Sequence, residues 1–208
     1  MRILIIADES FASRERAVLR RLEVGLADEG VRVVHAVPRA ALHWLGTELS
    51  AQAIPYESRG LAVSRPWRAR RLVEAARALN SDEAQAFDLV HAFGHTCWPF
   101  AAETARQAGA ALALEVHSTK AAAQAVRRRP TGGAGATVYL LPDASLERLV
   151  RAGDAGVEIR TTPWGVHTPG GTDASARKGT SAFIDGGGSD LAAMVAMLQG
   201  LASVAPAH

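Results

Sequence analysis

The stretch FDLVHAFGHTCWPFAAETARQAGAALALEVHSTK, residues 87–120, decides how this chain folds. Residues 88–93 and 111–116 are short, mostly apolar runs, the pattern of strands buried on both faces of a parallel sheet. Between them Phe100, Ala101, Thr104, Ala105 and Ala108 recur at helical spacing, and Gly109 stands where a helix C-terminus wants a cap. Strand, crossover helix and parallel strand bring both strand ends to one edge of the sheet. Open α/β sheets bind ligands at that edge. Gly94, His95, His117, Ser118, Thr119 and Lys120 are expected to converge there.

The same grammar extends in both directions. Residues 2–7 read as a buried strand. A helix follows from about 13 to 29 with Val18, Leu19, Leu22 and Leu26 on one face, closed by Gly30, and Val31–Val37 is the next strand. The region 38–64 is less regular: Ala40–Leu45 reads as a helical turn, and Ile54 and Leu61–Val63 as short strands. Ser64 is expected to cap a helix begun by Pro66, with Trp67, Leu72, Val73, Ala76 and Leu79 as its apolar stripe. Downstream come a helix at 121–128, a strand at 137–141, a helix capped by Asp143 and carrying Leu146, Leu149 and Val150, and a strand at 157–161. The fold class is therefore α/β, a Rossmann-like parallel sheet with helices on both faces. The domain reading is 1–162 for this unit, a linker at 163–179, and a further strand–helix unit at 180–208.

Composition bounds the function. Of 208 residues 48% are apolar, enough for a substantial core, and the net charge of +2 gives no footprint for nucleic acid. Arginines cluster at 65–71 and 127–129, a candidate peripheral contact with an anionic membrane beside Trp67, against the commoner reading of a solvated helix face. One cysteine, Cys97, excludes an internal disulfide and fits a reducing compartment. The five apolar residues after Arg2 are a first strand, too short for a signal peptide or a span. The expected location is cytoplasmic, with any membrane contact at the inner face.

Asp8-Glu9-Ser10-Phe11-Ala12-Ser13 after the first strand lacks a GxGxxG fingerprint, so neither a nicotinamide nor a flavin is expected, and no cofactor at all is assigned. Its acidic pair fits a receiver-type phosphoacceptor pocket less well than a solvated, helix-capping turn. His91, His95 and His117 have no metal-ligand spacing and no metal is assigned. His91, inside a strand, reads as a packed core residue. His117 is followed by Ser118, Thr119 and Lys120, groups suited to a phosphate or a sugar hydroxyl. Gly186, Gly187 and Gly188 follow a strand and open a helix, where backbone amides suit a diphosphate as well as a plain tight turn.

Taken in order, these segments resemble the N-terminal half of a GT-B glycosyltransferase, most similar to family 4 (glycosyl transferase group 1). The matching pieces are Met1–Asp8, RLEVGLADEGVRVVHA (21–36), FDLVHAFG (87–94) for the family's D-V-V-H-x-H, LALEVHS (112–118), LPDASLERLVRAG (141–153) and IRTTPWGVH (159–167). The resemblance implies an acceptor-side domain of a retaining, metal-independent enzyme that transfers sugar from a nucleotide-sugar donor to an acceptor it does not identify. It implies His117 as the catalytic residue, acceptor contacts from Ser10, Phe11, Gly94, His95, Ser118, Thr119 and Lys120, and donor contacts from Gly186, Gly187 and Gly188. Phe93 replaces the second histidine of the family strand, Ser10–Ser13 stand in for its glycine-rich loop, and Trp164 for its linker asparagine. The cations after the first donor-domain strand and the E-x7-E motif are missing, so the donor domain is expected to be incomplete and this chain alone inactive. Two rivals remain at this stage: a non-catalytic sugar- or partner-binding half-enzyme, and a nucleotide-sugar 2-epimerase-like enzyme using Asp8, Glu9 or Glu115.

Overall fold

In a computed structural model, residues 1–45, 52–79, 86–127, 136–153 and 158–162 are described. Seven parallel strands form one sheet: β1 (Arg2–Ala7), β2 (Arg32–Pro38), β3 (Gln52–Tyr56), β4 (Leu89–Phe93), β5 (Ala111–Glu115), β6 (Thr137–Leu141) and β7 (Glu158–Thr161). Their order is β3-β2-β1-β4-β5-β6-β7. The helices are α1 (Glu9–Arg14), α2 (Arg16–Asp28), α3 (Leu42–Leu45), α4 (Arg65–Ala78), α5 (Trp98–Ala108), α6 (Thr119–Arg127) and α7 (Ala144–Gly153). The α/β, Rossmann-like expectation holds.

The sheet separates two apolar layers because strand side chains alternate in direction. Leu4, Ile6, Val90, Ala92, Leu112, Leu114, Tyr139 and Leu141 pack with α4, α5, α6 and α7. Ile3, Ile5, Val37, Leu89 and Phe93 form the other layer with Phe11, Ala12, Leu19, Leu22 and Leu26 of α1 and α2. Every residue of β1, β4 and β5 is buried, as their mostly apolar runs suggest.

Local signals set most element ends. Gly109 takes the left-handed conformation (φ 68°) at the end of α5, and Gly30 does so (φ 72°) after α2. Asp143 accepts from the amides of Ser145 and Leu146 and caps α7. Four expectations need correction. Residues 9–14 form a helix, because Asp8 accepts from Phe11 N at 2.8 Å and caps it. Ala62–Ser64 form a 3-10 turn, and the Ser64 hydroxyl donates to Leu61 O instead of capping α4. Trp67, Leu79 and Leu149 are exposed, because the inward stripes are narrower than their periodicity suggests: Ala69, Leu72, Val73 and Ala76 in α4, Leu146 and Val150 in α7. The linker at 163–179 and the unit at 180–208 lie outside the described residues.

Candidate functional site

The strand order reverses between β1 and β4, so the loops leaving those two strands diverge to opposite sides and open a crevice at their carboxyl ends. Asp8 follows β1 and Gly94 follows β4. The Asp8 amide donates to Phe93 O at 2.8 Å, which ties the two loops together. Its carboxylate accepts from Phe11 N (2.8 Å), Thr96 Oγ1 (2.7 Å) and Thr96 N (3.4 Å). Asp8 is thus a hub that fixes both loops, and its oxygens are committed to them. Gly94 adopts φ +90°, and a Cβ there would fall 2.1 Å from the Asp8 carboxyl carbon. Only glycine fits that approach.

Beside the hub the loop after β3 and the start of α4 complete a cleft of about 320 Å³. Its walls include Asp8, Glu9, Tyr56, Thr96 and Phe100, with Arg59, Arg65 and Arg68 on one side. Tyr56 donates its hydroxyl to Ala7 O at 3.0 Å and stacks on Phe100 with ring centroids 4.9 Å apart. Burial raises its pKa well above the ordinary tyrosine value, so it stays protonated. Arg68 is held in place: Nη1 donates to Glu57 O at 2.5 Å and the guanidinium lies over the Phe100 ring at 5.7 Å. Cys97 is buried, with Sγ 3.0 Å from Gly94 O, and burial pushes its thiol pKa well up. It is a structural residue, not a nucleophile.

The predicted site residues separate into distinct roles. His95 and His117 lie half-buried at the carboxyl edge, on the β4 and β5 loops. Burial lowers the pKa of His95 first; Asp8 opposes that shift, whereas Lys120 and His117 add to it. The His117 ring meets Phe11 edge-on at 5.1 Å, and neither lines the arginine cleft. Phe11 itself is buried against Phe93 at 4.9 Å, because α1 turns it inward. It therefore buttresses His117 instead of meeting an acceptor. Gly94 too is buried and shapes the loop. Ser118 Oγ accepts from Ala121 N at 3.2 Å and caps α6, while Ser10, Thr119 and Lys120 are exposed along the rim. Gly186, Gly187 and Gly188 lie outside the described residues.

His91 is a core residue, as its place in the strand suggested: Nε2 lies 3.1 Å from Glu115 Oε2, and both side chains are fully buried. That removes Glu115 from the edge. A second buried pair, His35 and Glu23, stands at 3.3 Å under α2. Among the described residues no three metal-ligating side chains are grouped, and no helix is long and apolar enough to cross a membrane. Sequence reasoning missed the cleft residues Tyr56, Ser58 and Arg59 altogether. The available signal was Ser58-Arg59-Gly60 just past a strand end, the same place in the unit that Gly94-His95 occupies after β4.

No protein-family model matches the sequence, and no curated protein does. Solved structures do. HepE of Anabaena in complex with UDP superposes with a TM-score of 0.56 at 13% identity, over 80% of this chain and 44% of that one. HepE in complex with UDP-glucose gives 0.54 at 12% identity, again over 80% and 44%. The chain spans less than half the length of these structures. The likeness shows the fold, a Rossmann-like α/β domain.

Proposed function

We propose that this chain is the acceptor-side half of a retaining, family 4-like glycosyltransferase that uses a nucleotide-sugar donor. The observation that carries the proposal is the convergence of His95, Thr96 and His117 beside an open polar cleft at the switch point of the sheet. HepE, which shares the fold, is solved with UDP-glucose bound. In this reading His117 stands where the reacting sugar carbon and the acceptor meet. It orients the acceptor hydroxyl and favours the cationic sugar by presenting a fixed dipole in a site from which water is largely displaced. Preorganised donors on the partner half hold the departing diphosphate.

An epimerase-like reading needs a free carboxylate at the cleft. Glu115 is buried on His91 and Asp8 is occupied by Phe11 and Thr96, which leaves Glu9 alone. The transferase reading is the better supported. Its test has two parts. Titrating sugar acceptors into the 15N-labelled chain is expected to shift the resonances of His95, Thr96 and Ser118. In a two-domain protein containing this half, His117→Ala is expected to lower turnover by about two to four powers of ten. Unchanged turnover sinks the role given to His117, and silence across a broad acceptor panel sinks the acceptor-side assignment.

A further inference from the structure

The cleft beside the hub is flanked by an unusual surface. Leu61, Val63 and Trp67 are 75%, 84% and 59% exposed, three large apolar side chains within seven residues. They sit on the 3-10 turn Ala62–Ser64 and the first turn of α4, immediately beyond the Arg59 and Gly60 wall of the cleft. Scattered exposed apolar residues need no explanation, but three together at the rim of a polar cleft do. Between and behind them lie five arginines, Arg59, Arg65, Arg68, Arg70 and Arg71. Arg70 is paired with Glu74 at 2.8 Å, and Arg71 lies over the Trp67 ring at 4.8 Å. Arg59 and Arg65 make no ion pair within 4 Å among the described residues, although Arg65 lies near enough to Glu103 to help lower its pKa, and both line the cleft with Arg68.

Resting on the acceptor-side reading, we infer that this cleft seats the phosphate of an anionic lipid headgroup, while Leu61, Val63 and Trp67 enter the interfacial layer of the bilayer. The chemistry is complementary at each level. A phosphate wants several N–H donors and net positive charge, which Arg59, Arg65 and Arg68 supply together with the hydroxyl of Ser58. Arg68 is preorganised by Glu57 O and Phe100, so little freedom is lost when it binds. Of the two carboxylates present, Asp8 is saturated by its three donors. Glu9 then faces the polar part of the headgroup, where a hydroxyl is a natural donor to it. Exposed aromatic and aliphatic side chains framed by arginine are the composition of a surface that lies on a membrane. A soluble phosphate ester would use the arginines and leave Leu61, Val63 and Trp67 without a purpose.

Sedimentation with vesicles tests this on the whole chain, because it reads binding and not transfer. Failure here therefore leaves the glycosyltransferase reading standing, and failure of turnover leaves this one. Vesicles of phosphatidylglycerol and phosphatidylcholine are expected to bind the chain, and pure phosphatidylcholine to bind it far more weakly. The double variant Arg59→Gln/Arg65→Gln spares the packed Arg68 and is expected to weaken binding about tenfold or more at low salt. The triple variant Leu61→Ser/Val63→Ser/Trp67→Ser, all at exposed positions, is expected to abolish sedimentation while retaining an arginine-dependent response to sn-glycerol 3-phosphate. Glycerol 3-phosphate binding without vesicle binding would overturn the lipid assignment in favour of a soluble ester. Equal binding to both vesicle types, or loss of neither response in the arginine variant, would overturn the site altogether.

Discussion

Gly94 leaves no room for a side chain beside Asp8: a Cβ built on it falls 2.1 Å from the carboxyl carbon and 2.2 Å from Oδ2. These two residues come from strands whose sequence positions are far apart, and their contact joins the β1 and β4 loops at the switch point. Gly94→Ala must displace a carboxylate that holds three donors and must also keep φ at +90°. The backbone cost alone is about 1–3 kcal/mol. In an Asp8→Ala background the obstacle is gone, although the lost cap itself costs about 0.5–2 kcal/mol. Denaturant unfolding of the four proteins in this cycle is expected to show Gly94→Ala costing less when Asp8 is absent. Equal costs in the two backgrounds would mean that the close approach is not what demands glycine.

The buried pair His91 and Glu115 gives a second prediction. The two are 3.1 Å apart, fully enclosed, on adjacent central strands in the layer that also holds Phe93. His91→Leu strips the carboxyl of this partner while keeping the site filled, and the expected loss is about 1–3 kcal/mol. Adding Glu115→Leu removes the polar group left behind. The double variant is then expected to recover part of the loss. Strictly additive effects would show that the two side chains do not depend on each other.

Much of this was legible in the sequence, and what was not has a physical cause. Strands β4 and β5, helix α5 and its Gly109 cap are local signals: mostly apolar runs, helical spacing, one left-handed residue. His91 read as a core residue because it sits inside such a run. The role of Asp8 was half visible. Its capping of α1 is a contact across three residues, but Thr96 reaches it across 88, and nothing local announces that. The resemblance makes Phe11 an acceptor contact, whereas the short α1 turns its ring inward. Spacing alone puts Trp67 in the apolar stripe of α4, and spacing cannot say where a helix overshoots the layer beneath it. The arginine cleft is assembled from four separate loops and helix starts, so no window of sequence contains it.

Acid is expected to destabilise the fold from the ordinary histidine range downward. Burial lowers the pKa of His35, against the pull of Glu23, and that of His95, against the pull of Asp8. A histidine whose pKa is lower folded than unfolded stays neutral in the native state while the unfolded chain takes up the proton. Stability from these two groups is therefore present above about pH 6.5 and falls as pH drops below it. Urea unfolding at pH 7.5 and pH 5.5 is expected to give a lower midpoint at the acid value. His35→Leu combined with His95→Asn is expected to flatten that dependence. An unchanged midpoint across the range in the native sequence would contradict the shifts.

The last prediction concerns how His117 is held. Its ring meets Phe11 edge-on at 5.1 Å, and Phe11 in turn rests on Phe93 at 4.9 Å, so an aromatic stack that starts in α1 braces the proposed catalytic imidazole. Phe11→Ala opens a cavity in a buried site and is expected to cost about 3–5 kcal/mol, which by itself says nothing of His117. Phe11→Leu is the sharper probe. It keeps most of the volume, so the fold is retained at a smaller cost, but it removes the ring that lies against the imidazole. The His117 ring protons are then expected to lose the ring-current shift from Phe11, and His117 to sample more than one rotamer. In a complete two-domain enzyme the same change is expected to lower kcat more than it raises KM, as for a group that acts through the orientation of another. Native turnover together with an unchanged His117 spectrum in Phe11→Leu would show that the imidazole is positioned by something other than this stack.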